Sequence, residues 1–303
     1  MAINLYNIKK WTRMLTGKSL FHVNQDLGKI YSKTEIKGYY NNFTEKILRD
    51  SEDTLVPKTE MKENEFVYFP TAIMQFGLGA YDLYLMEKNE KYLEKFDACV
   101  NWAMENQEED GAWNNFFFYF PDTPYGAMVQ GEGVSLLLRA YKHYDDEKYF
   151  EKAKKALMYM LKPLEEGGTT KYDGDDVYFM EFTHKPLVLN GWIFALFGLI
   201  DYLKVDNDKS LLDIYTRTVN SLKKSLPDFD MGYWSLYRED KLTCSPFYHN
   251  LHIALLDALY DLTEMEEFKI YKDKWEGYTK NKFYKAKAFV KKSIEKIKER
   301  DIK

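Results

Sequence analysis

The chain has 303 residues, of which 45% are hydrophobic and 17% aromatic, so it can fill a large core and is not a disordered chain. Its net charge of −5 and the absence of a recognition motif exclude an ordinary nucleic-acid-binding protein. The two cysteines, Cys99 and Cys244, are too few for a disulfide framework and lack metal-ligand spacing. No signal peptide or membrane-spanning stretch is apparent, so we expect a soluble, cytoplasmic protein.

Residues 1–65 precede the repetitive part of the chain, and we predict that they form an N-terminal extension packed on the following domain. From about residue 66 to residue 303, a pair of helices is repeated four times. The first helix of each pair ends at one of four dipeptides, spaced by 60, 59 and 60 residues: Tyr81-Asp82, Tyr141-Lys142, Ile200-Asp201 and Tyr260-Asp261. A period of this length is typical of one helical hairpin per repeat.

The two helices of each pair differ in their apolar pattern. The first is apolar nearly all round, whereas the second, which follows a short polar turn, is charged on one side. Helices of the first kind belong in the interior and those of the second kind on the outside. The sequence therefore predicts an all-α domain over residues 66–303, an α/α toroid (incomplete barrel) of about four hairpins.

Long loops connect each outer helix to the next inner helix, over about residues 107–124, 162–186 and 227–246. Because helix direction alternates around the ring, these loops must lie together at the end where the inner helices begin. Helix N-termini carry partial positive charge and unpaired amide donors, so four of them at one end favour an anionic ligand. We predict the functional site at this end.

Polar and aromatic side chains in these loops and in the first turns of the inner helices are candidate ligand-binding groups. They are Trp113, Tyr125, Gln130, Asn190, Arg238, His249 and His252. A Gln or Asn at such a position is either a local cap or core hydrogen-bonding group, or a substrate contact, and the sequence leaves both open.

The sequence offers two candidate metal sites, and neither is complete. His249 and His252 are spaced as a metal pair but lack a third ligand. Asp173, Asp175 and Asp176 could bind a cation, yet no complete calcium-loop pattern surrounds them. No dinucleotide or phosphate-loop signature is present, so we expect neither a metal nor a cofactor.

The C-terminal tail is basic. Residues 280–303 contain nine lysines and one arginine against three acidic residues, a net charge of +7. Phe283, Val290, Ile294 and Ile297 make this tail amphipathic, which admits peripheral contact with an anionic membrane or a glycan. The alternative is a last helix packed on the toroid with a solvated lysine face.

Four stretches resemble the C-terminal domain of the D-glucuronyl C5-epimerases. They are FPTAIMQFGLGAYDLY (69–84), YGAMVQGEG with LRAY (125–133 and 138–141), EF with VLNG (181–182 and 188–191), and GYWSLY with YHNLHI (232–237 and 248–253). Residues 17–23 and 38–40 resemble short microbial members as well. The resemblance implies an α/α toroid, possible homodimers, and conversion of glucuronate to iduronate in heparosan-type polysaccharides.

The resemblance also implies that Glu181, Tyr237 and Tyr248 are catalytic, and it places Phe182 where animal enzymes have a tyrosine. Inverting C5 of a uronate needs two proton-transfer groups on opposite faces of that carbon. We expect burial to raise the pKa of Glu181, and a cation such as Arg238 or a protonated His249 to lower that of a tyrosine. Our hypothesis is that Glu181 and Tyr248 exchange the proton while Tyr237 assists. Asn190, Gln130 and His252 would hold the carboxylate.

Three other functions remain open at this stage. Residues 107–113 and 173–176 are similar to signatures of class II terpene cyclases, which are also α/α toroids. A toroidal polysaccharide lyase or hydrolase would use related chemistry on an acidic glycan. A glycan-binding toroid without turnover is the non-catalytic alternative, and Phe182 is the residue that motivates it.

Overall fold

The computed structural model describes Lys9, residues 12–13, 18–19 and 22–300, with side chains up to residue 295. After a short helix α1 (Thr44–Leu48), eight helices form the four hairpins that the repeat predicts, and the predicted α/α toroid is confirmed. The hairpins are α2 (Pro70–Glu87) with α3 (Glu90–Asn106), α4 (Ala127–Tyr144) with α5 (Glu147–Leu161), α6 (Leu189–Leu203) with α7 (Lys209–Ser225), and α8 (Pro246–Thr263) with α9 (Glu266–Lys280). A final helix, α10, covers Lys282–Arg300.

The first helix of each hairpin lies inside. Residues 70–83 of α2, 127–140 of α4 and 189–202 of α6 are buried without interruption, whereas α8 is buried on one side only. The inner helices contact one another in the order α2, α4, α6, α8, and no comparable contact joins α8 to α2 within residues 22–300. The ring of inner helices is therefore open between α8 and α2.

Small residues allow the inner helices to approach closely. A Cβ atom added to Gly198 of α6 would lie 2.5 Å from the Cα of Gly131 in α4, and one added to Gly131 would lie 2.6 Å from the Cα of Ala195. Contacts this short leave no room for a side chain, so glycine at these two positions sets the spacing of α4 and α6.

Tight turns join inner to outer helices, as predicted. Lys88, Asp145 and Glu264 end α2, α4 and α8 in the left-handed conformation. The side chains of Asn89 and Asp146 then accept hydrogen bonds from backbone amides at the starts of α3 and α5. These caps stop one helix and start the next within two residues, which makes the two helices antiparallel.

The long connections lie at the opposite end of the hairpins. Three antiparallel two-stranded sheets precede inner helices, one in the segment ahead of the first hairpin and two in the long connections. The strands are β1 (Thr59–Lys62) with β2 (Glu65–Val67) ahead of α2, β3 (Thr170–Asp173) with β4 (Asp176–Phe179) ahead of α6, and β5 (Leu236–Arg238) with β6 (Leu242–Thr243) ahead of α8. Because these hairpins stand just before inner helices, they place the adjacent side chains beside the helix N-termini. The predicted boundary between residues 65 and 66 falls inside β2 and stays a prediction.

Residues 31–40 of the N-terminal segment lie at the end of the ring where the inner helices finish. All three aspartates of the repeat dipeptides hold this segment. Asp82 accepts a hydrogen bond from the Tyr39 amide (2.9 Å), Asp201 from the Tyr40 hydroxyl, and Asp261 from the Tyr31 hydroxyl (2.8 Å). The repeat aspartates thus have a structural role, which the spacing alone did not indicate.

A buried ion pair reinforces the same end. Arg139 donates to Asp201 at 2.7 Å and to the carbonyl oxygen of Gly38 at 2.8 Å, and both charged side chains are at most 1% exposed. Since a buried charge is costly without a partner, this pair ties α4, α6 and the N-terminal segment together.

Helix α10 packs beside β6. Glu295 accepts two hydrogen bonds from Thr243, and Ala288 is buried. Phe283, Val290 and Ile294 are about half exposed or more, at 72%, 56% and 48%, and the side chain of Ile297 lies outside the described residues. Membrane contact by this tail stays a prediction. No helix within the described ranges is both long enough and apolar enough to cross a bilayer.

Candidate active site

An open cavity of about 230 Å³ lies at the end of the toroid where the inner helices begin. The first turns of all four inner helices contribute to its wall: Thr71 from α2, Met128 from α4, Asn190 from α6 and Tyr248 from α8. Four helix N-termini therefore meet at one cavity, as the alternating helix direction predicts. The partial positive charges of these N-termini favour a ligand that carries negative charge.

Glu181, Tyr237 and Tyr248 all line this cavity. The Tyr237 hydroxyl donates a long hydrogen bond of 3.5 Å to Oε1 of Glu181, and the rings of Tyr237 and Tyr248 lie 4.8 Å apart between centroids. The three residues come from three separate segments, after β4, in β5 and in α8. The structure brings them together, while their catalytic roles stay predictions.

Two glycines make room for Glu181. A Cβ atom on Gly191, in the first turn of α6, would lie 2.3 Å from Oε2 of Glu181, and one on Gly126 would lie 2.1 Å from the Glu181 carbonyl oxygen. Glu181 is 8% exposed, and its Oε2 has no hydrogen-bond partner within the described part of the chain. A buried carboxyl oxygen without a partner, next to a cavity, is available to a ligand.

Burial controls the acidity of these three groups. Burial raises the pKa of Glu181 to about 8, although the Tyr237 hydroxyl opposes this shift by donating to the carboxylate. Burial also raises the pKa of Tyr237 and of Tyr248 above the ordinary value, and the nearby Glu181 charge adds to this effect. Glu181 can therefore be a base at mildly alkaline pH, and both phenols stay protonated.

The prediction that a cation lowers the pKa of a tyrosine is wrong. Arg238 makes a bidentate ion pair with Asp240 at 3.1 and 2.7 Å and opposes the rise at Tyr237 only weakly. Burial lowers the pKa of His249 to about 3, so this ring is neutral at neutral pH. The net shift of both tyrosines is upward because desolvation outweighs the distant charge.

Amide side chains supply most of the other polar groups in the cavity. Asn190 is 2% exposed, and its Oδ1 lacks a hydrogen-bond partner among the described residues. Gln75 donates from Nε2 to Oε1 of the buried Glu132 at 2.7 Å, which fixes the orientation of its amide. Over the described residues, no lysine or arginine lines the cavity. An anionic ligand would therefore be bound by amides, hydroxyls and helix N-termini.

Gln130 and Trp113 lie in the core instead of the cavity, which corrects the expectation that they contact substrate. The Gln130 side chain accepts from the Trp113 amide at 3.0 Å and donates to its carbonyl at 3.1 Å. Both residues are fully buried, and the Trp113 indole donates to the Ala103 carbonyl. The sequence left two roles open for Gln130, a cap or core hydrogen bond and a substrate contact. The structure shows the core hydrogen bond.

His249 and His252 are also fully buried and outside the cavity. His249 stacks on Trp234 with 3.6 Å between ring centroids and accepts from the Ser235 amide, and His252 contacts the Cys244 thiol at 3.6 Å. The role expected for His252 in holding a carboxylate is thus corrected, because its imidazole points into the packing between α8 and its neighbours.

Tyr125 and Arg238 lie outside the cavity as well. The Tyr125 hydroxyl donates to Glu108 at 2.7 Å, and Arg238 is occupied by Asp240. In the described residues, no group of three or more His, Cys, Asp or Glu side chains is placed to hold a metal ion. Of the three aspartates in the candidate cation site, Asp176 pairs with Lys224 at 2.8 Å and Asp173 with Lys171 at 3.2 Å.

Several cavity residues were not singled out from the sequence. Gln75 stands near the start of an apolar helix, as Gln130 does, and this pattern could have marked it. Phe116 and Phe120 form an aromatic wall with Phe182, with ring centroids 4.6 and 5.8 Å from that of Phe182. Gln25, from the N-terminal segment, also lines the cavity, and no local pattern distinguishes it.

The fold and the cavity define an α/α-toroid protein whose open end gathers a buried carboxyl group and two phenols suited to proton transfer. A sequence model described as the D-glucuronyl C5-epimerase C-terminus matches residues 117–277. This match covers more than half of the chain, and the chain belongs to that family.

Two relatives illustrate the similarity. The D-glucuronyl C5-epimerase of Caenorhabditis elegans is 29% identical over 227 residues, which are 65% of this chain and 37% of that protein. An uncharacterized protein of Methanocaldococcus jannaschii is 32% identical over 156 residues, 50% of this chain and 51% of that protein. The chain thus aligns with about a third to a half of the length of these relatives.

Solved structures show more distant likenesses. An α-1,6-mannanase of Salegentibacter sp. has a TM-score of 0.47 at 15% identity, over 69% of this chain and 62% of that one. An unsaturated glucuronyl hydrolase specific for heparin also has a TM-score of 0.47, at 14% identity, over 67% and 59%. Likenesses this weak say nothing about activity.

Proposed function

We propose that this protein inverts C5 of D-glucuronate residues, giving L-iduronate, within a heparosan-like or other uronate-containing glycan. The convergence of Glu181, Tyr237 and Tyr248 on one cavity carries the proposal. Membership of the epimerase family supports a carbohydrate substrate and an isomerase. Homodimers, contact with a membrane and a cytoplasmic location stay predictions.

The hydrogen on C5 is α to a carboxylate and is weakly acidic. An ordinary glutamate, with a pKa of about 4.3, is a poor base for it, whereas a base with a pKa near the working pH is efficient. Glu181 has a pKa of about 8 and an Oε2 without an intramolecular partner among the described residues. In the proposed reaction, this carboxylate takes the C5 proton, the C5–H bond breaks, and its electron pair passes into an enolate of the sugar carboxylate.

The second step returns a proton to the opposite face of C5. The Tyr248 phenol is the proposed donor, since it lines the cavity and its raised pKa keeps it protonated. The O–H bond of Tyr248 breaks, a C–H bond forms, and the residue is left as a phenolate. We propose that Tyr237, whose hydroxyl donates to Glu181 and whose ring contacts that of Tyr248, passes the proton on Glu181 back to Tyr248 before the next turnover.

The enolate carries more negative charge than the substrate carboxylate, and the site must stabilise that difference. The first turns of α2, α4, α6 and α8 supply the positive ends of four helices at the cavity. The Asn190 amide is available for a direct hydrogen bond to the substrate carboxylate. Gln130 and His252, which were expected to share this task, lie in the core.

Incubation with heparosan in heavy water tests the proposal. We expect deuterium to appear at C5 of uronate residues, detected by NMR, without cleavage of the chain. An increase in ultraviolet absorbance from an unsaturated uronate would instead identify a lyase, and new reducing ends without it a hydrolase. Binding without any exchange would identify a non-catalytic glycan-binding protein.

A further inference from the structure

The opening of the toroid between α8 and α2 is filled by the N-terminal segment. Residues 22–28, which we call the N-terminal arm, lie beside the cavity, and residues 38–43 pair with them. Gln25 of the arm lines the cavity together with Thr71 of α2 and Tyr248 of α8. The arm lies outside residues 117–277, the part matched by the family model.

Hydrogen bonds fix the arm in place. The Asn41 side chain donates to the carbonyl oxygens of Gln25 (3.3 Å) and Asp26 (2.9 Å), and the Gly28 amide donates to the Tyr40 carbonyl (2.8 Å). A Cβ atom on Gly28 would lie 1.9 Å from the Tyr39 carbonyl oxygen, so only glycine permits this approach. Residues 38–43 therefore pack closely against the arm and fix its position through these hydrogen bonds.

The paired segment is in turn anchored in the centre of the ring. Tyr39 bonds to Asp82 of α2, and its ring packs against Phe194 of α6, which also lines the cavity. Tyr40 packs on Phe197 with 4.6 Å between ring centroids. The N-terminal segment thus forms part of the floor below the cavity as well as one of its sides.

At its start, the arm reaches the proposed proton donor. The ring of His22 lies edge-on to those of Phe247 and Tyr248, with 5.0 and 5.8 Å between centroids. Gln25 is three residues further along and faces the same cavity. A group at this position is close to a substrate that contacts Tyr248.

Gln25 is 6% exposed as a whole residue, and no hydrogen bond joins its side-chain amide to any other residue that the structure describes. Its backbone carbonyl is bonded to Asn41, so the unused groups are those of the side chain. A side-chain amide that faces the cavity without a partner in the protein is available to a ligand. A carboxamide offers both donors and an acceptor, which suits the hydroxyl groups of a sugar.

We propose that the N-terminal arm completes the substrate site and that Gln25 is a substrate-binding residue, with its amide hydrogen-bonded to hydroxyl groups of the sugar in the cavity. This inference rests on the proposed function for the nature of the ligand. It assigns to residues 22–28 a part in substrate recognition and leaves proton transfer to Glu181 and Tyr248.

The test compares Gln25→Ala with Asn24→Ala in the full chain. Asn24 is the adjacent amide residue of the same arm, but it is exposed, bonds to Asp26 and does not line the cavity. Binding of a heparosan hexasaccharide is measured by calorimetry, and kcat and KM by C5 exchange in heavy water. For Gln25→Ala we expect a five- to twentyfold rise in Kd and KM with kcat changed less than twofold, in line with the loss of one or two hydrogen bonds. Asn24→Ala should match the wild type.

Unchanged Kd and KM in Gln25→Ala would overturn the inference, and so would equal losses in both variants, since these would reflect the arm as a whole. Thermal unfolding of both variants, with a Tm close to that of the wild type, excludes misfolding as the cause of a loss. If the wild type binds the hexasaccharide without exchanging C5 hydrogen, the proposed function fails, and the Kd comparison still decides the role of Gln25. If the wild type does not bind it, both proposals are overturned.

Discussion

The two ends of the inner helices contrast in how their buried acidic groups are paired. Where the helices end, Asp82, Asp201 and Asp261 are all bonded to the N-terminal segment, and Asp201 also pairs with Arg139. Where the helices begin, Asn190 and Glu181 each keep a buried oxygen without a partner within the described chain. Folding alone explains the first arrangement. The second reduces stability, because unpaired buried groups are unfavourable, and the proposed substrate would pair them.

The same distinction separates the polar residues near the cavity. Gln130, His249 and Tyr125 have their hydrogen bonds filled by the protein, and none of them lines the cavity. Substitutions of cavity residues should therefore reduce activity, whereas substitutions of residues already paired within the protein should reduce stability. The five predictions below test this contrast.

The largest effect is expected for Glu181→Gln. Removing the proposed general base should lower C5 exchange by roughly 10²- to 10⁴-fold, with Tm equal to that of the wild type or higher, because a neutral amide replaces a buried acid. In the wild type, the exchange rate should rise with pH through about 8, as the carboxyl group loses its proton. A variant that keeps wild-type exchange, or a rate that falls over this range, would contradict the assignment.

Asp201→Ala should have the largest effect on stability. It leaves Arg139 buried without its carboxylate, which costs about 3–5 kcal/mol of unfolding free energy. Urea denaturation measures this loss. The matched control is Asp213→Ala on α7, whose side chain is 66% exposed and pairs with Arg217. We expect the control to change the free energy of unfolding by less than about 1 kcal/mol. Equal losses in both variants would refute the structural role of the ion pair between Asp201 and Arg139.

Glu132→Gln should alter the pH dependence of stability. Burial raises the pKa of Glu132 from 4.5 to about 8, so the folded state holds a proton that the unfolded state releases between these values. The contribution of this bound proton to the free energy of unfolding is fully present below pH 4.5 and is lost as pH rises to about 8. The glutamine variant should show a shallower decline of unfolding free energy between pH 5 and 8, gaining roughly 1–3 kcal/mol at pH 8. A decline as steep as that of the wild type would contradict the pKa shift.

Gln130→Ala should reduce stability and leave substrate binding unchanged. It removes both hydrogen bonds to the Trp113 backbone, at a cost of about 1–3 kcal/mol. Asn190→Ala is the comparison, and its main effect should be a several-fold rise in KM. If the KM of Gln130→Ala rises as much as that of Asn190→Ala, then Gln130 belongs to the substrate site.

Tyr125→Phe should have the smallest effect. It removes the hydroxyl that donates to Glu108, about 1 kcal/mol or less at this partly buried position. We expect kcat/KM for C5 exchange within twofold of the wild type. A loss of tenfold or more would return Tyr125 to the list of substrate-binding residues.

The hairpins and their order could be predicted because the signal is local. The apolar period distinguishes inner from outer helices, and the lengths of the connections indicate the end at which the loops gather. The grouping of Glu181, Tyr237 and Tyr248 came from the family resemblance. Their spacing of 56 and 11 residues carries no geometric information by itself.

Whether an individual side chain points into the cavity or into the core could not be predicted in the same way. Each residue of a helix is turned about 100° from the previous one, so a shift of one position moves a side chain from cavity to core. Tyr248 and Leu251 of α8 line the cavity, whereas His249 and His252, one position further on, are fully buried. Asn190 is the second residue of α6 and Gln130 the fourth of α4, which accounts for their different surroundings.

The sequence by itself therefore determined the four helical hairpins and the end at which a site would form, since both follow from periodicity and chain direction. Only the tertiary structure decided which polar groups remain unpaired at that end, and that Gln25, more than 150 residues from Glu181, lies in the same cavity. The physical reason is that hydrogen-bond pairing and burial depend on contacts between distant segments, which no local pattern specifies.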